Sequence, residues 1–200
     1  MKQSERRAKS RAAILDAAFA EFGERGYAAA TIDGVCARGG ISKGMMYHYY
    51  KGKDELFCDC VGEMFSSLAE HMGKYMEHPD HGGSEALLSG YFMFRESFFI
   101  DHPNMQTVFK DAVFRTPPHL AERVKQLRAP MRERNRELLR YMLTQTQLRS
   151  GVSENDARRW FDALEGMLPE LLSRLSEGGD TRAQGKFVLD MMLFGILEKQ

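Results

Sequence analysis

Several things the chain has little of narrow its class. Cysteine occurs three times in 200 residues, as Cys36, Cys58 and Cys60, too few for the disulfide framework of a small secreted domain and in keeping with a reducing compartment. Cys58 and Cys60 stand two apart in a helical pattern, which turns them to different faces and makes a bridge between them poor. All three are expected as buried or half-buried thiols. No apolar run approaches the ~18 residues that span a bilayer, and the first twenty residues are charged and helix-like rather than a secretory leader. A cytoplasmic protein with no membrane partner is expected. No stretch alternates apolar and polar residues for long enough to suggest a strand, and there is no internal repeat or low-complexity tract.

Catalytic signatures are missing as well. The sequence contains no nucleophile elbow, phosphate loop, dinucleotide fingerprint or paired zinc-type ligands. A helical enzyme is therefore the disfavoured class, and no catalytic residue and no cofactor is assigned. His71, His78 and His81 fall within eleven residues, but no cysteine pair or acid at ligand spacing completes a set. Solvated histidines near a helix end outweigh a metal site there.

Net charge is also absent, with 28 basic and 28 acidic residues, but the distribution is uneven. Residues 1–53 carry ten Lys/Arg against five Asp/Glu, a net +5, which leaves −5 for residues 54–200. A basic head on an acidic body is the pattern of a protein that meets DNA with one end. With 43% hydrophobic residues the chain can bury one fair-sized core, or two small ones sharing a helix.

The head reads as three helices. Ile14, Leu15, Ala18, Phe19 and Phe22 repeat at the helical period over residues 10–26, and Gly26 is expected to end that helix as a left-handed cap. Arg6, Arg7, Lys9 and Arg11 crowd its start, against the helix dipole; a nearby phosphate or a frayed, solvated arm would each account for them. Thr31 is the expected N-cap of a short helix to about Arg38, with Ile32, Val35 and Cys36 inward. A capping-box glutamate three residues on is missing, and Gly34 in its place weakens this helix by ~1 kcal/mol. Gly39-Gly40 breaks the pattern, and Ser42 caps a third helix over about residues 43–49. A support helix followed by helix, glycine turn and helix is the outline of a helix-turn-helix domain.

The run Thr-Ile-Asp-Gly-Val-Cys-Ala-Arg-Gly-Gly (31–40), Ile-Ser-Lys-Gly-Met-Met-Tyr-His-Tyr-Tyr (41–50) and Lys-Gly-Lys-Asp-Glu-Leu-Phe (51–57) closely resembles the DNA-binding signature of the TetR family of transcriptional repressors. The resemblance covers about residues 10–57. It implies an all-α homodimer: an N-terminal three-helix helix-turn-helix head, residues 1–56, and a C-terminal helical effector-binding and dimerisation body, residues 57–200, about nine helices in all. Three positions depart from the family pattern. Gly34 replaces a common acid of the second helix, Cys36 a usual alanine, and Met45 a residue that is frequently small or polar.

On this reading the third helix enters the major groove. Lys43 is the candidate for a guanine edge or a phosphate. Gly44 lets the backbone come close, and Met45 suits a thymine methyl. Tyr47, His48 and Tyr49 resemble family positions that reach phosphates or bases, with Met46 and Tyr50 as inward anchors. Ser42 starts the helix, while Thr31 and Lys53 are placed for flanking phosphates.

Beyond the head, Leu56, Phe57, Val61, Met64, Phe65, Leu68 and Met72 outline a fourth helix toward His78, the natural link between head and body. Ser84 is expected to cap a helix through Ile100, and a short helix with Val108, Phe109 and Val113 follows. Thr116-Pro117-Pro118 reads as cap and first turn of a long helix to about Arg149, kinked at Pro130. Residues 153–175 form another helix, bent at Pro169. A last helix around Phe187–Leu197, apolar nearly all round, requires cover from a partner subunit, so the homodimer is expected through the last two helices. Phe98, Phe109, Phe114, Tyr141 and Trp160 are candidates to line a pocket for a small, apolar ligand, though core packing is the commoner use of such residues. The expected function is a repressor that binds a near-palindromic operator as a homodimer and is released by that ligand. The same fold acting as an activator, or without an effector, is the alternative.

Overall fold

The computed structural model describes residues 3–79, 82–145 and 147–175. The fold is all-α, and among the described residues nine α-helices follow one another. They are α1 (Gln3–Ala29), α2 (Ile32–Gly39), α3 (Lys43–Tyr49), α4 (Lys53–Glu77), α5 (Ser84–Asp101), α6 (Pro103–Phe114), α7 (Ala121–Leu127), α8 (Ala129–Gln145) and α9 (Glu154–Leu175), with a 3-10 turn at Pro118–Leu120. The apolar segment around Phe187–Leu197, and with it the expected dimer helix, lies outside the described residues, as does His81.

Two compact units divide these helices. Of the described residues, the first takes those up to Ser67 and Phe99–Ala129; the second takes those from Leu68 to Phe98 and from Pro130 to Leu175. The first unit thus holds α1–α3, the start of α4, α6 and α7. Its centre is the apolar stripe of α1 (Ile14, Ala18, Phe22) packed with Val35, Met46, Leu56, Phe57 and Val61, all fully or almost fully buried. The Phe22 and Phe57 rings meet edge to face at 5.3 Å, and Tyr27 tilts onto Phe57 at 4.7 Å. Aromatic pairs of this geometry add ~0.5–1.5 kcal/mol to the burial of their area. Cys36, Cys58 and Cys60 are buried free thiols in this core, and burial pushes the Cys58 and Cys60 thiols up from their ordinary value. In the second unit Tyr75 donates to the Leu87 carbonyl at 2.8 Å, Tyr91 to Asn135 at 2.9 Å, and Arg134 to the Ala69 carbonyl at 3.1 Å.

The structure corrects three local readings. The first helix begins near Gln3, so Arg6, Arg7 and Lys9 lie on helix rather than on a frayed arm. Gly26 does break that helix, as expected: at φ 69°, ψ 166° it leaves the helical conformation and kinks the chain, and one further turn follows, with Ala30 N–H bonded to the Gly26 carbonyl at 3.0 Å. Thr116 is not an N-cap; its hydroxyl donates to the Ala112 carbonyl at 2.6 Å and so closes α6 instead. The long helix to Arg149 is two helices, α7 and α8, the second ending at Gln145. Pro130 is the second residue of α8, a first-turn position where its missing N–H deprives no helical carbonyl. On α9 the cap falls on Ser153, whose Oγ accepts the Asp156 N–H at 3.1 Å, and the helix runs unbroken past Pro169.

Candidate nucleic-acid interface

Two side-chain caps start the helices that would meet DNA. Thr31 Oγ1 accepts the Gly34 N–H at 2.9 Å to open α2, and Ser42 Oγ accepts the Met45 N–H at 3.2 Å to open α3. Between them Gly40 adopts the left-handed conformation (φ 59°, ψ 32°) and closes α2 onto the Cys36 carbonyl. Residues without a β-carbon reach that conformation at no steric cost. A seven-residue helix such as α3 has too few internal bonds to hold itself, so its seating decides whether it forms. Met46 and Tyr50 provide that seat at 0% and 5% exposure.

The outward face of α3 carries the remaining residues. Ser42, Lys43, Gly44, Tyr47 and His48 are exposed, and Met45 and Tyr49 are half-buried. Tyr47 leaves 57% of its surface open. Gly44 lies in ordinary helix, and no described neighbour stands within 4 Å of where a Cβ would be. Neither its backbone nor those neighbours demand a glycine. Lys43 bonds the Asp33 carboxylate on α2 at 2.8 and 2.9 Å, and that hydrogen bond raises its pKa.

Two residues expected at phosphates are placed differently from the rest. Thr31 is exposed, but its hydroxyl already serves the α2 cap. Lys53 is half-buried and folds back on the end of α1: its ammonium donates to the Tyr27 and Ala28 carbonyls at 2.9 and 3.3 Å and sits 4.5 Å over the Tyr27 ring. These two bonds use two of its three N–H groups. Tyr49 also turns inward, its hydroxyl donating to the Arg7 carbonyl at 3.4 Å.

Carboxylates that sequence reasoning passed over hold α2 and α3 in place. Asp59 on α4 accepts from Tyr50 at 2.5 Å and from Arg11 Nε at 3.1 Å, with a second bond to Arg11 Nη2. One carboxylate thereby ties the end of α3 to both α1 and α4. Burial first and then the Asp59 contact push the Tyr50 hydroxyl well up. Beside this junction a groove of 520 Å³ runs past Arg7, Arg11, Tyr49 and Arg123.

Glu21, 1% exposed, is the other missed residue. It accepts from Arg38 Nε at 2.7 Å and from the Thr31 N–H at 3.3 Å. Burial alone would raise its pKa; the Arg38 bond, the Thr31 N–H and the Arg25 charge reverse this and hold it below its ordinary value. A signal existed, because Glu21 lies seven residues after Ile14 and three after Ala18, on the apolar stripe itself.

The five aromatic candidates for a ligand pocket are divided between the two units. Phe109 and Phe114 meet edge to face at 6.4 Å in the first unit, where Phe109 also packs on Phe65 and Phe99. Phe98, Tyr141 and Trp160 belong to the second unit. Phe98 is buried against His71, Tyr141 is half-buried, and Trp160 is 45% exposed. His71 itself bonds the Phe94 carbonyl at 2.9 Å and stacks on the Phe94 ring, a packing role.

The sequence profile described as bacterial regulatory proteins of the tetR family matches residues 14–60, the span of α1–α3 and the start of α4. The match shows a tetR-type regulatory domain over residues 14–60. It is 30% identical over 86 residues, 42% of its length, to the HTH-type transcriptional regulator YhgD of Bacillus subtilis. It is 38% identical over 60 residues, 30% of its length, to the HTH-type transcriptional repressor SCO4008 of Streptomyces coelicolor. The aligned regions span only 45% and 31% of those two relatives. Among solved TetR-like folds, FadR of Bacillus subtilis, in complex with stearoyl-CoA, superposes with a TM-score of 0.66 at 17% identity, covering 92% of this chain and 98% of that one. SmeT, the repressor of a Stenotrophomonas maltophilia multidrug efflux pump, gives 0.62 at 22% identity, covering 94% and 91%. At such identities these likenesses concern the fold.

Proposed function

We propose that this chain is a TetR-family transcriptional repressor that binds a near-palindromic DNA operator as a homodimer and lets go when a small apolar ligand occupies its body. The observation that carries the DNA half is the division of α3: Met46 and Tyr50 are buried, while Lys43, Gly44, Tyr47 and His48 stand on the open side of a helix that the Ser42 side chain caps. On this reading Lys43 and Tyr47 contact the duplex, and Met45 packs on a thymine methyl. Thr31, Ser42, His48, Tyr49 and the remaining N–H of Lys53 meet backbone phosphates.

The relatives support this reading by name, two as transcriptional regulators and one of those as a repressor. For the ligand, the support is the FadR complex with stearoyl-CoA, an acyl thioester whose long chain is apolar. Trp160 and Met167, 45% and 63% exposed and two turns apart on α9, offer an apolar strip for a second copy. Because α4 passes from one compact unit into the other, it is the covalent route by which an occupied body would reset the spacing of two recognition helices about 34 to 36 Å apart.

Selection of bound sequences from a random DNA pool tests the proposal. A recovered palindrome with two half-sites about one helical turn apart is expected; recovery of no enriched sequence overturns it. Thermal-shift screening tests the ligand, and a response to polar anions alone counts against an apolar effector.

A further inference from the structure

The start of α2 is capped from two sides. Thr31 is extended (φ −133°, ψ 152°), and its hydroxyl accepts the Gly34 N–H. In a capping box the reciprocal bond comes from a glutamate three residues on, which reaches back to the N–H of the capping residue. That place holds Gly34. The Thr31 N–H is nevertheless bonded, at 3.3 Å, to Glu21 Oε1 from α1. Glu21 also pairs with Arg38 near the end of α2 at 2.7 Å and with Arg25 at 3.5 Å. A single buried carboxylate therefore bonds both ends of the eight-residue α2.

Gly34 and Glu21 also account for each other sterically. A Cβ added at Gly34 would run into the Glu21 carboxyl group, striking both oxygens and the carbon between them. While Glu21 holds this position, α2 has no room for a side chain at position 34. With none there, no residue of α2 can supply the reciprocal carboxylate from that position. The acid that the family resemblance expects at 34 stands at 21 instead.

We propose that Glu21 is a positioning residue, the capping carboxylate of α2 carried on α1, which together with the space left at Gly34 sets the seat of α2 and through it the angle at which α3 meets DNA. The effect on DNA rests on the regulator reading above; the cap does not. Nothing in this role needs Glu21 to touch a base or a phosphate, and its burial forbids it.

The test uses the full chain in four forms: wild type, Glu21→Leu, Gly34→Glu and the double variant Glu21→Leu/Gly34→Glu. Two quantities are read, amide hydrogen exchange at Thr31 and affinity for the DNA selected by the wild type. Glu21→Leu is expected to speed exchange at Thr31 and to weaken DNA binding, each about tenfold. Gly34→Glu alone weakens binding through the clash. In the double variant the introduced glutamate can close a local capping box, so both quantities should return to within a few fold of wild type. Should Glu21→Leu fail to fold, the isosteric Glu21→Gln replaces it in the exchange measurement, with the same expected direction. Unchanged exchange at Thr31 overturns the cap. A double variant no better than its worse parent overturns the pairing of positions 21 and 34. If the wild type enriches no DNA sequence, the regulator reading and the DNA half of the proposal fall, while exchange at Thr31 still decides the cap.

Discussion

The Asp111 carboxylate on α6 accepts the backbone N–H of Tyr27 on α1 at 2.7 Å, joining residues 84 positions apart. Gly26, just before, has turned the chain out of helix, so the Tyr27 N–H needs an acceptor from elsewhere. Asp111 is 4% exposed and also pairs with Arg115 at 3.0 Å. Asp111→Ala is expected to destabilise the chain by about 1–3 kcal/mol in urea unfolding, because a part-buried N–H is left bare. Asp111→Asn keeps an acceptor and should lose less. Equal losses would show that the Arg115 pair, not the N–H, is what matters.

Gly23 lies three residues earlier on the same helix. A Cβ there would stand 2.8 Å from the Asn104 Cα and 2.7 Å from its side-chain oxygen. Because the backbone itself is in the way, shortening Asn104 cannot relieve the contact. Gly23→Ala should force α1 and α6 apart and lower stability by about 1–3 kcal/mol, the usual range for overpacking. Calorimetric melting would show it, and an unchanged midpoint would refute so tight a contact.

Lys43 and Asp33 are 63% and 68% exposed, so solvent screens their ion pair and it contributes little to stability. Lys43→Ala should therefore leave the melting temperature nearly unchanged while weakening operator binding. If Lys43 meets a phosphate, the slope of log K against log salt also falls by about one. If it reads a guanine, the slope stays and discrimination at one base pair is lost. Tyr47→Phe should likewise weaken binding with little change in melting. Unchanged affinity for both variants, measured by gel shift at fixed salt, would remove them from the interface.

The pH dependence of stability should report Glu21. Its folded pKa is held below the ordinary value, so its contribution is fully present above the unfolded-state pKa, about 4.3 for glutamate. That contribution is lost as pH falls through the folded pKa. Arg38 and Arg25 face the carboxylate, and Glu24 shares Arg38. Glu21→Gln should flatten the unfolding free energy below about pH 4.5; a curve parallel to wild type would show that Glu21 titrates alike in both states.

Much of the head is readable because its determinants are local. Thr31 and Ser42 bond N–H groups three residues ahead, and a hydroxyl with a helical period behind it says where such a helix starts. Met46 and Tyr50 follow from the same period, which turns them inward together. What did not show was long-range. Lys53 looks like any cation at a helix start until the Tyr27 and Ala28 carbonyls are beneath it. The aromatic candidates illustrate the same limit: apolar character gives no sign that Phe98 and Phe109 belong to different units.

The sequence by itself determined the helices of the head and their caps, since each depends on residues within a turn or two of one another. Only the tertiary structure decided that Asp111 takes up the Tyr27 N–H just after Gly26, that Asp59 fastens Tyr50 to Arg11, and that Gly34 answers to Glu21. The physical reason is the same in each case. A buried carboxylate must find its donors wherever the fold brings them, and no periodicity in the chain records that distance.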